Sequence, residues 1–351
     1  MSGSVWAEQS TTPSEIETAL RDLLKERYAR SEAYMPARVL NLVVVTDREW
    51  RGEIQNRLDH VGRYHASRTI LCSVEPGRET IDARATIEGE CATESTDISV
   101  LHEEVVLDIG PRHLRHLETI VDPLVVTDLP TLLWSPHGHD DAVDALLDLA
   151  QVALIDSIDE PEPGAAVKRA RQLAERAYIV DLAWLRSTPW RERVASTFDP
   201  QQWREELNRI NSVTIKHRPD SRVAGLLFFG WLAKRLDWEP GSLLAQDGAM
   251  YGTAHARRQD VTLRLRPEEG MSAPGLAGIA IETASGVSIS LDRGSGGLSA
   301  RRHMRDGRES TWTVMGASRG EAGILGEGIR QALLRDRAYG PALAAAEQML
   351  S

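Results

Sequence analysis

The chain has 351 residues, of which 42% are hydrophobic and 26% charged, an ordinary balance for a globular protein with a large core. At roughly 150 residues per domain, this length predicts two domains. The 41 basic and 52 acidic residues give a net charge of −11, which argues against a general binder of nucleic acids or anionic membranes. Two cysteines, Cys72 and Cys91, are too few for a disulfide framework or a structural zinc site.

The first twenty residues carry Glu8, Glu15 and Glu17, which a secretory signal peptide would lack. No run of about 18 apolar residues occurs, so no transmembrane helix is expected. Two unpaired thiols are typical of a reducing compartment, and we therefore expect a cytoplasmic protein.

The first half of the chain alternates strand and helix patterns. Residues 1–11 are polar and predicted to be loose, and the Thr-Pro-Ser-Glu run at 12–15 offers a helix start. A β-branched apolar run at 39–45, a helix face at 50–61 and a strand at 69–74 predict a βαβ unit.

Further along, segments 81–91 and 103–109 alternate apolar and polar residues, as half-exposed antiparallel strands do. A helix face covers 114–124, and buried strands are predicted at 129–134 and 152–158. The first half is therefore predicted to be an α/β sandwich of a mixed sheet and helices.

A linker is predicted at residues 159–164, where two prolines, a glycine and three acids cannot continue a helix or a ladder. We divide the chain into an N-terminal helix (1–34), an α/β domain (35–160) and a C-terminal α+β domain (161–351) with antiparallel strands. Its predicted helices cover 165–178, 181–197, 220–238 and 320–348, the last with a break at 339–341. Its predicted strands cover 213–217, 260–266, 276–283, 286–292, 297–304 and 310–315.

Motifs for catalysis are weak. Neither a P-loop nor the dinucleotide glycine pattern occurs, and the glycine-rich residues 294–297 are typical of a hairpin turn between strands. His137 and His139 with Asp140 could bind a divalent metal, but no further fixed ligand is identified, which favours a solvated loop. We expect no catalytic residue, no metal and no cofactor.

Ser67 and Arg68 stand just before a predicted strand. A serine beside an arginine could contact an anion or a partner. The alternative is structural, with Ser67 capping a turn and Arg68 pairing with a carboxylate. The absence of a glycine elbow argues against a nucleophile.

The segment 180–192 packs two tryptophans, two arginines and a proline into thirteen positions. Tryptophan and arginine often anchor interfaces, since they cover a large area and still form hydrogen bonds. Trp184, Arg186, Trp190 and Arg191 are therefore candidate partner-binding residues. The alternative is that the tryptophans belong to the core at a domain junction.

In several blocks the chain resembles the glucose-6-phosphate dehydrogenase assembly protein family, the OpcA type. The blocks are Arg38-Val39-Leu40-Asn41-Leu42, Ser67-Arg68-Thr69-Ile70, 123–134, Asp181-Leu182-Ala183-Trp184-Leu185-Arg186, Thr188-Pro189-Trp190-Arg191, 230–238 and Arg335-Asp336-Arg337-Ala338-Tyr339. The resemblance covers nearly the whole chain after residue 35, and it adds Trp134 to the candidate partner-binding residues.

This resemblance implies a protein that binds glucose-6-phosphate dehydrogenase, itself an oligomer, and favours its active oligomeric form without catalysis of its own. It thereby implies a role in the oxidative pentose phosphate pathway. The chain departs from the family pattern at Ser135, where many relatives carry tryptophan, and at Gly326, where relatives often carry cysteine. Redox control through C-terminal thiols is therefore not expected, because no cysteine follows Cys91.

Two other classes of function stay open at the level of sequence. An α/β domain could serve a sugar-phosphate or nucleotide sensor or an enzyme, with a site near Ser67 and Arg68 at a switch point of the sheet. The chain could also be a structural scaffold for other partners.

Overall fold

The computed structural model describes residues 4–30, 38–62, 67–89, 101–294, 297–315 and 320–351. The chain divides into two compact units. The first unit takes residues 1–155 and 176–180, and the second takes 156–175 and 181–351.

An eight-stranded sheet forms the first unit, in the order β1-β4-β5-β3-β2-β6-β7-β8. Its strands are β1 (Ser4–Glu8), β2 (Leu40–Asp47), β3 (Ser67–Val74), β4 (Asp82–Gly89), β5 (Leu101–Ile109), β6 (Thr131–Trp134), β7 (Val152–Ile155) and β8 (Tyr178–Asp181). Strands β5, β3, β2, β6 and β7 pair in parallel, whereas β4 is antiparallel to both β5 and β1. The predicted mixed sheet is confirmed.

The order β5-β3-β2-β6-β7-β8 corresponds to 3-2-1-4-5-6, the order of a doubly wound sheet. The chain moves from β2 to β3 on one side and later returns to β6 on the other. Strands β2 and β3 are almost entirely buried, as expected where helices cover both faces of a parallel sheet.

The helices of the first unit are α1 (Pro13–Arg30), α2 (Arg51–Gly62), α3 (Leu117–Val121) and α4 (Asp140–Leu146). The predicted start of α1 is confirmed by a reciprocal capping box. The backbone N–H of Thr12 donates to Glu15 Oε2 at 2.8 Å, and that of Glu15 donates to Thr12 Oγ1 at 3.4 Å.

The prediction that residues 1–11 are loose is wrong. Ser4–Glu8 form β1, which pairs antiparallel with β4 and places Trp6 opposite Ala85. Five residues give a weak local pattern, and their partner strand lies almost eighty residues further on. Long-range pairing of this kind is not visible in local sequence.

A nine-stranded sheet forms the second unit, in the order β10-β12-β13-β9-β14-β15-β16-β17 with β11 on β12. Its strands are β9 (Ile210–His217), β10 (Glu239–Pro240), β11 (Leu244–Gln246), β12 (Ala249–His255), β13 (Asp260–Pro267), β14 (Leu276–Thr283), β15 (Ser288–Gly294), β16 (Gly297–His303) and β17 (Glu309–Met315). All pairs are antiparallel except β9 with β13. The antiparallel prediction is confirmed apart from that pair, and β10–β12 were not predicted.

The helices of the second unit are α5 (Pro163–Ala174), α6 (Leu182–Arg186), α7 (Thr188–Phe198), α8 (Gln201–Arg204), α9 (Arg222–Leu236), α10 (Gly320–Leu334) and α11 (Tyr339–Met349). The helix predicted at 181–197 is two helices, since Ser187 ends α6 and Pro189 opens α7. The helix predicted at 320–348 breaks at 335–338 rather than at 339–341, with Arg335 in the left-handed region (φ +57°).

Helix α9 is central to this unit and is buried on nearly all sides, because β9 and β13 pack on it as well as α11. The close approach of α11 to α9 requires a glycine at position 230. A Cβ on Gly230 would lie 2.1 Å from the carbonyl oxygen of Ala342.

Candidate functional site

The tryptophan side chains predicted to bind a partner are buried in this structure. Trp184, Trp190 and Trp134 are each only 2% exposed. In this conformation they offer almost no surface to a partner, which argues against a direct contact, and their part in partner binding stays a prediction. Their burial corresponds to the alternative of core tryptophans.

Arg191 lies over Trp184. Its guanidinium carbon is 3.4 Å from the ring centroid, a cation–π contact. Its Nη1 donates to the Trp184 carbonyl at 2.7 Å, and its Nη2 donates to Thr188 Oγ1 at 2.9 Å. Burial lowers the pKa of Arg191 to about 9, so the group keeps its charge at neutral pH. Arg191 therefore fixes the turn between α6 and α7 and is not available to a partner.

Trp184 also holds the segment between α10 and α11. Its indole Nε1 donates to Asp336 Oδ2 at 2.8 Å, and its ring meets Tyr339 edge-on at 5.7 Å between centroids. The backbone N–H of Ala338 donates to the other oxygen of Asp336 at 2.8 Å. This carboxylate orders residues 335–338 and joins them to α6.

Asp181 caps the start of α6 and also contacts Tyr339, the first residue of α11. Its Oδ1 accepts from the backbone N–H of Ala183 at 2.9 Å and of Ser157 at 3.2 Å, and its Oδ2 accepts from the Tyr339 hydroxyl at 3.1 Å. Burial raises the pKa of Asp181 to about 6. The hydrogen bond from Ser157 works to lower this pKa, whereas the negative charge of Asp156 raises it further.

Arg186 bridges two carboxylates. It donates two hydrogen bonds to Asp156, at 2.8 and 2.6 Å, and two to Glu321, at 3.2 and 2.7 Å. Burial works to lower the pKa of Arg186, but Asp156 and Glu321 outweigh it and the pKa is raised. With a side chain only 7% exposed, Arg186 ties α6 to the first turn of α10 and is not a free fork for a partner.

Helix α10, which Arg186 contacts at its start, and the segment after it, which Trp184 contacts, carry an exposed surface. At the end of α10, Leu333 is 47% and Leu334 60% exposed, and the neighbouring Arg335 and Arg337 are also exposed. We call these four residues the α10–α11 corner. Two exposed leucines beside two arginines make the corner a candidate contact surface.

The α10–α11 corner was not among the predicted sites, although the sequence holds a signal for it. The buried positions of α10 follow helical spacing at Leu325, Ile329 and Ala332. Leu333 and Leu334 lie off that face, and apolar residues outside the core stripe of a helix end need a separate explanation.

Ser67 and Arg68 do not form an anion site. Arg68 Nε pairs with Glu103 Oε2 at 2.8 Å and its Nη1 donates to the Leu124 carbonyl at 2.8 Å, while Arg38 pairs with the other Glu103 oxygen at 2.5 Å. Ser67 and Arg68 are both buried. The structural alternative is confirmed for Arg68, which pairs with a carboxylate, whereas Ser67 opens β3 rather than capping a turn.

The position of Ser67 and Arg68 also corrects the predicted ligand site. They begin β3, at the amino edge of the parallel strands, whereas ligands of doubly wound sheets bind at the carboxyl edge. There, His137 after β6 stacks on Trp50 after β2, with 5.0 Å between ring centroids. His137 Nδ1 is 3.1 Å from Thr46 Oγ1.

Metal-ligating side chains do not gather in groups of three or more among the residues whose placement is described. His139 Nε2 lies 3.1 Å from Asp47 Oδ1. Cys72 is buried in β3, and burial raises its thiol pKa to about 12, which keeps it unreactive. Cys91 lies outside the described residues.

The fold and the site define a two-unit α/β protein. Its most distinctive feature is the buried set Trp184, Arg186 and Arg191, which we call the Trp–Arg frame and which contacts both ends of helix α10 next to the α10–α11 corner. Residues 58–172 match the model for the N-terminal domain of a glucose-6-phosphate dehydrogenase subunit. Residues 177–343 match the model for the C-terminal domain of the same family. The chain belongs to this OpcA family of glucose-6-phosphate dehydrogenase subunits, as the resemblance indicated.

Three curated relatives are provisionally named OxPP cycle protein OpcA. The chain is 28% identical to that of Nostoc punctiforme over 47% of its length and 37% of the relative's. It is 24% identical to that of Synechococcus elongatus over 58% and 46%, and 30% identical to that of Synechocystis over 38% and 29%. The matched regions thus cover less than half of each relative.

A solved structure of apo scyllo-inositol dehydrogenase from Lactobacillus casei aligns over 90% of this chain and 96% of its own, at 10% identity and a TM-score of 0.42. A likeness of this size carries no argument about function. Within the described part of the chain, no helix has the length and apolar character needed to cross a bilayer.

Proposed function

We propose that this protein is a non-catalytic assembly factor that binds glucose-6-phosphate dehydrogenase and favours its active oligomeric form. The observation that carries the proposal is the match of two family models, both named for a subunit of that enzyme, over most of the chain. This role would serve the oxidative pentose phosphate pathway, the OxPP cycle for which the relatives are named.

The α10–α11 corner is the contact surface in this proposal. A few central side chains carry most of the binding energy of an interface, and arginine is enriched among them. Leu333 and Leu334 have the exposed apolar area, and Arg335 and Arg337 bring charged donors beside it.

The buried Trp–Arg frame supports the corner from within. Arg186 holds Glu321 at the start of α10, and Trp184 holds Asp336 just beyond its end. A surface fixed in this way loses little conformational entropy on binding, which favours affinity. Trp184, Arg186 and Arg191 are therefore positioning residues in this proposal, and the partner does not contact them.

The mechanism is a shift of population. A protein that binds one oligomeric form of an enzyme more tightly than another favours that form by the difference in binding free energy. A tenfold shift needs only about 1.4 kcal/mol of differential binding. The protein needs no catalytic site of its own to produce this effect.

Titrating the dehydrogenase of the same organism with the purified chain tests the proposal, with activity and molar mass measured together by enzyme assay and light scattering. We expect specific activity and mass to rise with the same saturation midpoint. A constant mass and activity over the whole titration would exclude the proposal.

The strand order of the first unit favours one alternative, a metabolite sensor. Trp50 and His137 form an aromatic pair at the carboxyl ends of β2 and β6, where doubly wound sheets bind ligands. The neighbouring Asp47 is unfavourable for a phosphate, which weakens the sugar-phosphate version. Calorimetry of the isolated chain with glucose 6-phosphate and with NADP separates the sensor from the assembly factor. Micromolar binding of either compound supports a sensor, and the absence of any heat of binding supports an assembly factor.

A further inference from the structure

The first unit has a groove of about 600 Å³ between β1 and α1. Val5 and Trp6 of β1 and Leu23 of α1 supply its apolar lining. Val5 is 52% exposed, an unusual amount for a valine in a strand. The groove therefore offers apolar surface that the first unit itself leaves uncovered.

Carboxylates surround this apolar surface. Glu8 of β1 and Glu15, Asp22 and Glu26 of α1 all line the groove, and its described lining contains no lysine or arginine. Hydrogen bonds from Thr12 lower the pKa of Glu15, so it stays ionised at neutral pH. Lys25 offsets one of these charges, since its Nζ lies 3.1 Å from Asp22 Oδ1. The carboxylates still leave the groove net negative, so it repels anionic partners and attracts cationic ones.

The backbone of β1 adds a third feature. β1 is the last strand on its side of the sheet and pairs only with β4 among the described strands. Its other edge presents N–H and C=O groups that can pair with an added strand. In strand addition, main-chain hydrogen bonds give affinity and the alternating side chains give specificity.

We propose that this groove binds an extended segment of a partner protein that pairs with β1 and carries alternating basic and apolar residues. Successive residues of β1 point to opposite faces, so the apolar residues of that segment contact Val5 on one face and its basic residues meet Trp6, Asp22 and Glu26 on the other. A second copy of β1 is a poor occupant, because it would bring Glu8 into an already acidic groove. This proposal concerns the first unit and does not depend on the proposed function.

A capped hexapeptide of alternating lysine and valine is the probe, with its glutamate–valine counterpart as the charge control. Fluorescence anisotropy measures affinity for the full chain, for the double variant Asp22→Asn/Glu26→Gln, and for the matched double variant Glu49→Gln/Asp59→Asn. Both double variants remove two exposed acids from the first unit, and only the former changes the groove.

We expect the groove variant to weaken binding of the lysine peptide at least tenfold and the matched variant to leave it within twofold. Hydrogen exchange should show protection of the amides of Ser4–Glu8 when the peptide binds, which separates strand addition from diffuse attraction to an acidic protein. Equal weakening in both variants, equal binding of the glutamate peptide, or no protection of β1 would overturn the proposal. Dimerisation of the chain without peptide, lost in the groove variant, would overturn it too.

Discussion

The indole N–H of Trp184 donates a hydrogen bond of 2.8 Å to Asp336, 152 residues further along the chain. This contact joins the most distinctive sequence segment to the end of α10, where two leucines are exposed. The sequence suggested Trp184 as an interface anchor. In our proposal it instead positions the exposed surface beside it.

Asp336→Ala should loosen the α10–α11 corner. The buried indole N–H loses its acceptor, and such a loss costs about 1–3 kcal/mol of unfolding free energy. Urea denaturation measures the cost, and hydrogen exchange should show faster exchange at residues 335–338. Asp306→Ala is the control, since Asp306 bonds only within its own exposed turn. Equal stability changes in both variants would contradict the positioning role.

Asp181 should make stability fall as pH rises from about 4 to 6. Burial raises its pKa in the folded state to about 6, whereas its ordinary value is 3.8. In this window the folded state keeps a proton that the unfolded state has lost, so rising pH favours unfolding, by about 3 kcal/mol in total for a shift of this size. Above pH 6 the contribution is constant.

Asp181→Asn, which stays neutral at every pH, isolates this effect. The unfolding free energy of the wild type minus that of the variant should decrease between about pH 4 and pH 6 and then level off. Other carboxylates cancel in that difference. A difference that stays flat or grows with pH would contradict a raised pKa of Asp181 in the folded state.

Arg191→Lys should destabilise the second unit although the charge is conserved. Lysine cannot reproduce the planar stack on Trp184 or the fork to the Trp184 carbonyl and Thr188. We expect a loss of about 2 kcal/mol, from a buried charge-assisted hydrogen bond and a cation–π contact. Arg330→Lys is the control, because the Arg330 side chain is 51% exposed and pairs with Glu327 within its own helix. Similar losses in the two variants would refute this account of Arg191.

Gly230→Ala should be costly, because the new Cβ would lie 2.1 Å from the Ala342 carbonyl oxygen. Either α9 or α11 must shift, at a cost of about 1–3 kcal/mol. Gly52→Ala on α2 is the matched change, since nothing lies within 4 Å of its new Cβ and alanine favours a helix by about 0.5–1 kcal/mol. Thermal denaturation should therefore move the two variants in opposite directions, and a stabilised Gly230 variant would contradict the packing described.

Periodicity was sufficient for several of the regular elements. The strand predicted at 276–283 is β14 at the same residues, because one side of that strand faces the core and its apolar residues alternate. The apolar run at 39–45 lies largely within β2, since a central parallel strand is buried on both faces. Elements with a marked burial pattern were thus accessible from sequence.

Features that depend on distant residues were not accessible. Whether Trp184 is exposed depends on Asp336 and Tyr339, and whether Arg68 is free depends on Glu103. Strand β1 exists through its pairing with β4. In each case the local sequence gives the residue type, and the fold supplies the partner that decides its role.

The most direct test of the account compares stimulation of the dehydrogenase by the wild type, by Leu333→Asp/Leu334→Asp and by Leu244→Asp. Leu244 is a fair control because it is 72% exposed and lies on β11 in the same unit. The N–H of the preceding Leu243 donates to the Met349 carbonyl at the end of α11, whereas the corner precedes the start of that helix. Aspartate at the corner should raise the concentration for half-maximal activation at least tenfold, whereas Leu244→Asp should match the wild type. Undiminished activation by the folded corner variant would contradict the assignment of this surface, and no activation by the wild type at any concentration would contradict the proposed function itself.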